Sequence, residues 1–399
     1  MLKNLSVNIK VFLTLIFVCS AGIPFFEGDI IFLTCFLIVS LLFVASNLHY
    51  DKEFIYFILL VSLVLLVQCV TYGGGYVTAV GTLMRMMAAY WFVKLVGKRI
   101  VSDYVNVIFT LTCLSLIVHL LFILNLGIYE KMVDFHLRYI LPFELLPDLV
   151  RYHVFIYTFD EWLFELYPRN AGAFWEPGAN GVFLVLALYF NLSQTRKHLT
   201  FKNLVFTLAL FSTFSLAAYF TFSVLIVSYL FSLERSKVFK IAFLTILFTG
   251  GIFVYRSMPF LGEKYEYRFV KYESKKEKNL EDLTKKPDRF MATALDIVET
   301  RKSPFIGNKI LPNKFLRSTN SVTALFREYG VIVGGVFFYF LYQSSKCLNM
   351  QTGCKTFHNS SFFLIFLVNS LTQALFGKVL FLSLFFLYFS LRDKSSLHV

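Results

Sequence analysis

Twelve apolar runs, most of them separated by short loops, leave this chain few ways to fold. They lie at 11–26, 30–46, 54–71, 77–96, 104–126, 177–192, 204–215, 217–231, 238–254, 321–341, 361–376 and 379–391. An α-helix needs about 20 apolar residues to cross the hydrocarbon core of a bilayer. Several runs are shorter than that, so the expected number of spans is eleven to twelve. A chain that is 57% hydrophobic, with 49 Phe and 22 Tyr, carries more apolar surface than a soluble core hides. The expected fold is an all-α, polytopic membrane bundle. Lys3 and Lys10 before the first run imitate a signal peptide, but the many spans that follow favour a retained first helix.

Charge sets the expected orientation. The run at 204–231 reads as two short helices broken around 212–218. This split places every short loop that carries several Lys or Arg on one side. That side then holds sixteen Lys and Arg, and the opposite short loops hold only Lys378. By the positive-inside rule both termini are cytoplasmic. The net charge of +13 is then mostly topology signal and juxtamembrane charge. No basic helix with interleaved aromatics lies outside the membrane, which excludes a nucleic-acid partner. Four of the six cysteines sit in apolar runs. Cys347 and Cys354 fall in a cytoplasmic loop at a spacing unlike that of zinc ligands, so neither a disulfide nor a structural metal is expected.

The chain divides into five helices (1–126), a first long outer loop (127–176), four helices (177–255), a second long outer loop (256–318) and three helices (319–399). The first loop has four Lys/Arg against eight Asp/Glu, and the second fifteen against nine. Long loops escape the positive-inside rule. Both are too long to be idle connectors, so the functional surface is expected to face outward. The first loop mixes aromatics with acids: Phe135, Tyr139, Phe143, Glu144, Asp148, Tyr152, Phe155, Tyr157, Asp160, Glu161, Trp162 and Glu165. Sugar rings stack on aromatic faces and their hydroxyls need acceptors. Interfacial anchoring explains the same residues. In the second loop, 275–282 reads as a solvated hinge. After it, Arg289 opens an amphipathic helix with Met291, Ala294, Leu295 and Val298 on its apolar face, stopped by Ser303-Pro304.

The segment Arg169-Asn170-Ala171-Gly172-Ala173-Phe174-Trp175-Glu176-Pro177-Gly178 puts a cation, a carboxylate and a helix start at the mouth of a span. Pro177 suits the first helical turn, which makes Glu176 the N-cap. Glu176 is thus a capping residue or a general base. Arg169 is a headgroup anchor or a phosphate clamp. Arg85 and Arg327 lie inside apolar runs and need partners or a water-filled cavity. Arg327 and Glu328 are helix neighbours, so each is expected to have its own partner.

These residues resemble a known family. Arg169 with Gly172 to Gly178 resembles the R-x-x-G-h-F-x-E-P-G signature of the O-antigen polymerases (Wzy type). Thr213-Phe214-Ser215 resembles their T-h-S turn. Arg289 with Ser303-Pro304-Phe305-Ile306-Gly307 is similar to their second-loop pattern, and Asn320-Ser321 with Glu328-Tyr329-Gly330 to their N-S…E-Y-G. The order is kept over most of 165–335. Two positions depart: Thr319 stands where related ligases carry His, and Lys309 where a second glycine is usual.

The resemblance implies a GT-C-like bundle in the bacterial inner membrane with two large periplasmic loops. It implies a metal-free, cofactor-free transfer at the periplasmic face. A growing glycan on undecaprenyl pyrophosphate passes to the non-reducing end of a new lipid-linked repeat unit. Membrane lipids surround the enzyme, and a chain-length regulator protein is a conceivable partner. Glu176, Arg169 and Arg289 are the expected catalytic residues. Arg327, Asn320, Trp175, Arg85 and Tyr329 are expected to bind substrate. A ligase or another lipid-linked-sugar transferase is the near rival, with Glu27 and Asp29 as its acids. A transporter or flippase is the rival from another class, but no internal repeat is visible and Gly73-Gly74-Gly75 falls in a loop.

Overall fold

The computed structural model describes residues 5–124, 127–140, 151–160, 168–195, 199–232, 289–310, 320–352 and 357–392, with isolated residues between 236 and 249. The expected span at 238–254 and the charged run at 275–282 lie outside the described residues, apart from those isolated positions. Of the described residues, 79% are helical.

Five helices come first: α1 (Val7–Gly22), α2 (Asp29–Ala45), α3 (Lys52–Tyr72), α4 (Tyr76–Val96) and α5 (Ile100–Ile123). A short α6 (Ile128–Phe135) and an antiparallel hairpin of β1 (Arg151–Val154) and β2 (Tyr157–Asp160) belong to the first long loop. Then come α7 (Pro177–Thr195), α8 (Phe201–Ser212), α9 (Leu216–Ser232), α10 (Arg289–Lys302), α11 (Ser321–Thr352), α12 (Ser361–Thr372), α13 (Val379–Phe385) and α14 (Tyr388–Leu391). Among the described residues, three stretches are long and apolar enough to cross a membrane: Lys52–Tyr72, Tyr76–Ile123 and Ser321–Met350. The second of these is α4 and α5 joined through a 3-10 turn at Gly97–Arg99.

Several boundaries differ from expectation for local reasons. α1 stops at Gly22, because Pro24 opens a 3-10 turn. The run at 204–231 is two helices, as its loop charges required, broken at Thr213-Phe214-Ser215. α11 runs eleven residues past the expected boundary and is broken near its start by Gly330, with φ +76° and ψ 173°. The last run is two short helices rather than one.

α7 is the central element. Its residues from Pro177 to Asn191 are all buried, and it packs against α5, α8 and α9. Stacked ring pairs fill the interior around it. Phe174 lies 3.8 Å from Phe183, and Phe54 lies 3.7 Å from Tyr90. Lipid removes the usual hydrophobic drive between helices, so close van der Waals fit of this kind must hold the bundle.

One end of the bundle is closed by charge. Asp51, at the N-cap of α3, accepts from Tyr90 Oη (2.7 Å), Lys94 Nζ (2.9 Å) and Arg392 Nη2 (2.6 Å). Arg392 also donates to Glu53 at 2.6 Å, tying the chain beyond α14 to the start of α3. Burial alone would push the Asp51 carboxyl up. The hydrogen bonds from Lys94 and Tyr90, the Lys94 charge and the Arg392 hydrogen bond outweigh that and hold it below the usual carboxylate range.

A group ionising lower in the folded state stabilises fully above its unfolded pKa, about 3.9 for Asp, and loses that stabilisation as pH falls through the folded value. Asp51→Asn should therefore melt at a lower temperature than wild type near pH 7, by the equivalent of about 3 kcal/mol. Acidification below about pH 4 should destabilise it less than wild type. Thermal melts of the detergent-purified protein across pH check both.

Candidate functional site

The opposite end of the bundle gathers the residues singled out by sequence. Glu176 directly precedes α7, and its carbonyl accepts from Asn180 N at 3.0 Å, the first bond of the helix. Its Oε1 accepts from Gln373 Nε2 at 2.6 Å. Gln373 follows α12, and sequence reasoning missed it. Its signal was an amide inside the expected span at 361–376, which also holds Asn369. Gly178 permits the approach: a Cβ there would fall 2.7 Å from Gln373 Nε2 and 3.2 Å from Glu176 Oε1.

Three helices start near this carboxylate. α7 starts at Pro177. α9 starts after Ser215, whose Oγ lies 3.5 Å from the same Cβ direction on Gly178. α11 starts at Ser321, whose hydroxyl donates to the Gln373 carbonyl at 2.8 Å. Helix N-termini present free N–H groups and positive dipole ends, which favours negative charge here.

Arg169 and its neighbours reach the break between α8 and α9. Arg169 Nε donates to the Thr213 carbonyl at 3.2 Å. Asn170 N donates to the Ser212 carbonyl and Asn170 Nδ2 to Ser212 Oγ, both at 2.9 Å. Two segments that resemble the polymerase motifs are thus bonded to each other. Trp175, half-buried, lies under Lys378, whose Nζ is 5.3 Å from the ring. Lys378 also pairs with Glu27 at 2.5 Å, so this acid of the rival reading is matched by a cation.

A second polar group surrounds the broken start of α11. Arg327 Nη1 meets Asp296 of α10 at 2.8 Å, and Asp296 is fully buried. Thr323 Oγ1 donates to the same carboxylate at 2.7 Å. Asn320 caps α11, accepting from Val322 N at 2.9 Å, and donates to Thr293 of α10 at 3.3 Å. Glu328 pairs with Lys309, which also lies 5.1 Å from the Tyr329 ring. Burial works against the Lys309 ammonium, but Glu328 and Tyr329 outweigh it and hold it well above the usual lysine range.

Arg327 and Glu328 each have their own partner, as expected, yet also touch each other at 3.4 Å. The loop 303–310 folds onto the break. Val331 N donates to the Pro304 carbonyl at 2.7 Å, and Asn308 N to the Arg327 carbonyl at 2.8 Å. Gly307 and Gly330 both have positive φ and lie back to back. A Cβ on Gly307 would fall 2.5 Å from the Glu328 carbonyl oxygen, so only glycine fits. Gln68 of α3 completes the joint by donating to the Ile306 (2.6 Å) and Glu328 (2.9 Å) carbonyls.

Some expectations change. The buried face of α10 is Ala292 and Asp296, while Ala294 and Val298 are exposed. The spacing located the helix but reversed its faces, because Asp296 has Arg327 to meet. Arg327 and Asn320 bind α10, and Tyr329 lies at 7% exposure against Phe337. Arg85 belongs to the rim: it lies 3.9 Å from Asp29 and 5.2 Å from the Phe32 ring centre. Arg289 opens α10, but its side chain lies outside what is described.

In the first loop, Tyr157 and Phe159 face inward onto Phe122 rather than outward to a ligand. The hairpin bonds to the motif through Thr158 N and the Gly172 carbonyl at 2.7 Å. Phe143, Glu144, Asp148, Glu161, Trp162 and Glu165 lie outside the described residues. No group of three or more His, Cys, Asp or Glu suited to a metal occurs among the described residues. No family model, curated protein or solved structure matches the chain.

Arg327→Met should lower the melting temperature by the equivalent of about 3–5 kcal/mol, since it strands a buried carboxylate. The double variant Asp296→Leu/Arg327→Met should recover most of that loss in the same melt.

Proposed function

We propose that this protein is a glycosyltransferase that polymerises a surface polysaccharide such as O-antigen from undecaprenyl-pyrophosphate-linked units. The observation that carries the reading is Glu176: a carboxylate held by Gln373 where three helices begin, in the same segment as Arg169. The acceptor hydroxyl attacks the anomeric carbon of the donor glycan. Its C–O bond forms as the bond to pyrophosphate breaks. Glu176 takes the hydroxyl proton, and the pyrophosphate leaves with the electron pair.

Negative charge that develops on the leaving group needs donors already in place. Arg169 and Arg289 supply guanidinium forks, which stay charged and bind phosphate oxygens in pairs. The N–H groups where α7, α9 and α11 begin add to that field. Trp175 offers a ring face to a sugar beside the carboxylate. In this reading the bundle is GT-C-like with twelve spans and cytoplasmic termini. The Glu176 end then faces the periplasm from the bacterial inner membrane. Thr319, where a ligase would carry His, favours polymerase over ligase.

The test is a surface-glycan gel from cells lacking this gene, complemented with wild type, Glu176→Ala, Arg169→Ala, Arg169→Lys or Arg289→Ala. Each variant should insert normally and lose the long-chain ladder while one repeat unit stays on the core. Arg169→Lys should also be impaired, because a point charge does not replace a fork. Loss of every glycan band would indicate a ligase or an earlier transferase. A normal ladder from Glu176→Ala and both Arg→Ala variants would overturn the site.

A further inference from the structure

We infer that Gln373 is the positioning residue for Glu176, and that Ser321 holds the turn that delivers it. This inference rests on the reading of Glu176 as the base. The turn at 373–378 connects α12 to α13. Gln373 there has left the helix, with φ −143° and ψ 150°. An extended residue just beyond a helix end is not held by the helical ladder, so something else must fix its side chain.

That role falls to Ser321. Its hydroxyl donates to the Gln373 carbonyl at 2.8 Å and accepts from Leu375 N and from Phe376 N, the latter at 3.3 Å. One side chain thus satisfies three main-chain groups of the turn. Ser321 is 4% exposed and Gln373 5%, so water does not substitute easily. With the turn fixed, Gln373 Nε2 aims at Glu176 Oε1.

The chemistry suits a base. A neutral amide orients one carboxylate oxygen without adding a counter-charge of its own. The same arrangement couples the site to the second long loop. Asn320, next to Ser321, is bonded to Thr293 of α10, the helix that Arg289 opens. Adjacent residues at the start of α11 thus reach α10 and the turn that carries Gln373.

The experiment is a double-mutant cycle on the full-length protein in nanodiscs. The probe is undecaprenyl-pyrophosphate-linked repeat unit extracted from the host strain. Turnover and KM are measured for wild type, Gln373→Met, Ser321→Ala, Glu176→Gln and the two double variants with Glu176→Gln. Thermal melts report folding. Gln373→Met should lower turnover roughly 10- to 100-fold, as for a lost hydrogen bond to a charged group, with KM within about twofold of wild type. Ser321→Ala should do the same to a smaller degree.

Neither change should reduce turnover further in the Glu176→Gln background, because both act through that carboxylate. A further loss there would mean a merely structural role and overturn the inference. If Glu176→Gln is inactive but Gln373→Met turns over like wild type, the positioning role fails while the base survives. If Glu176→Gln keeps wild-type turnover, the reading of the base fails, and the inference with it.

Discussion

Breaking a helix in apolar surroundings exposes main-chain groups that no solvent satisfies, and the Glu176 end of this protein is made of such breaks. Each unsatisfied N–H or C=O in hydrocarbon costs several kcal/mol. The chain meets this demand by lending side chains from distant elements. Gln68 of α3 serves the 303–310 loop and the broken start of α11. Ser321 serves the turn after α12. Arg169 serves the break between α8 and α9. These loans knit helices far apart in sequence, and they fix the surroundings of Glu176 as a by-product of solvating the backbone.

The two ends of the bundle solve different problems. Around Asp51, two cations and two carboxylates form a compact, nearly neutral cluster. A network of this kind fixes register and holds the last short helices against the first ones. At the other end, charge is arranged around places where the chain turns. Asp296 with Arg327 and Glu328 with Lys309 form an alternating series beside the Gly307 and Gly330 contact. That series clamps α10 to α11.

The bundle was legible in the sequence, because apolar runs and loop charges are strong signals in lipid. The split of 204–231 into two helices followed from loop charge alone. The start of α7 at Pro177 and the end of α10 before Ser303 followed from proline chemistry. The partners were not legible. Gln68, Ser321 and Gln373 are uncharged residues inside or at the edges of apolar runs, and their bonds cross up to 260 positions. Asp296 was hidden for another reason: an ion pair turned a carboxylate inward and left Val298 outside, against the hydrophobic pattern. A span residue with hydrogen-bonding capacity and no local partner is the usable clue, and Gln68 and Gln373 both fit it.

The nature of the partner separates these carboxylates by role. Asp296, Glu328 and Glu27 are each held by a cation, which satisfies their charge and commits them to a contact between elements. Glu176 receives a bond from an amide, Gln373. An amide gives direction without cancelling charge. A structural ion pair needs its two members to stay together throughout. A base must hold one geometry while its charge appears and disappears with each transferred proton. In the proposed reaction, a neutral donor anchored by Ser321 tolerates that change, because removing the charge weakens that hydrogen bond without adding a charge of its own.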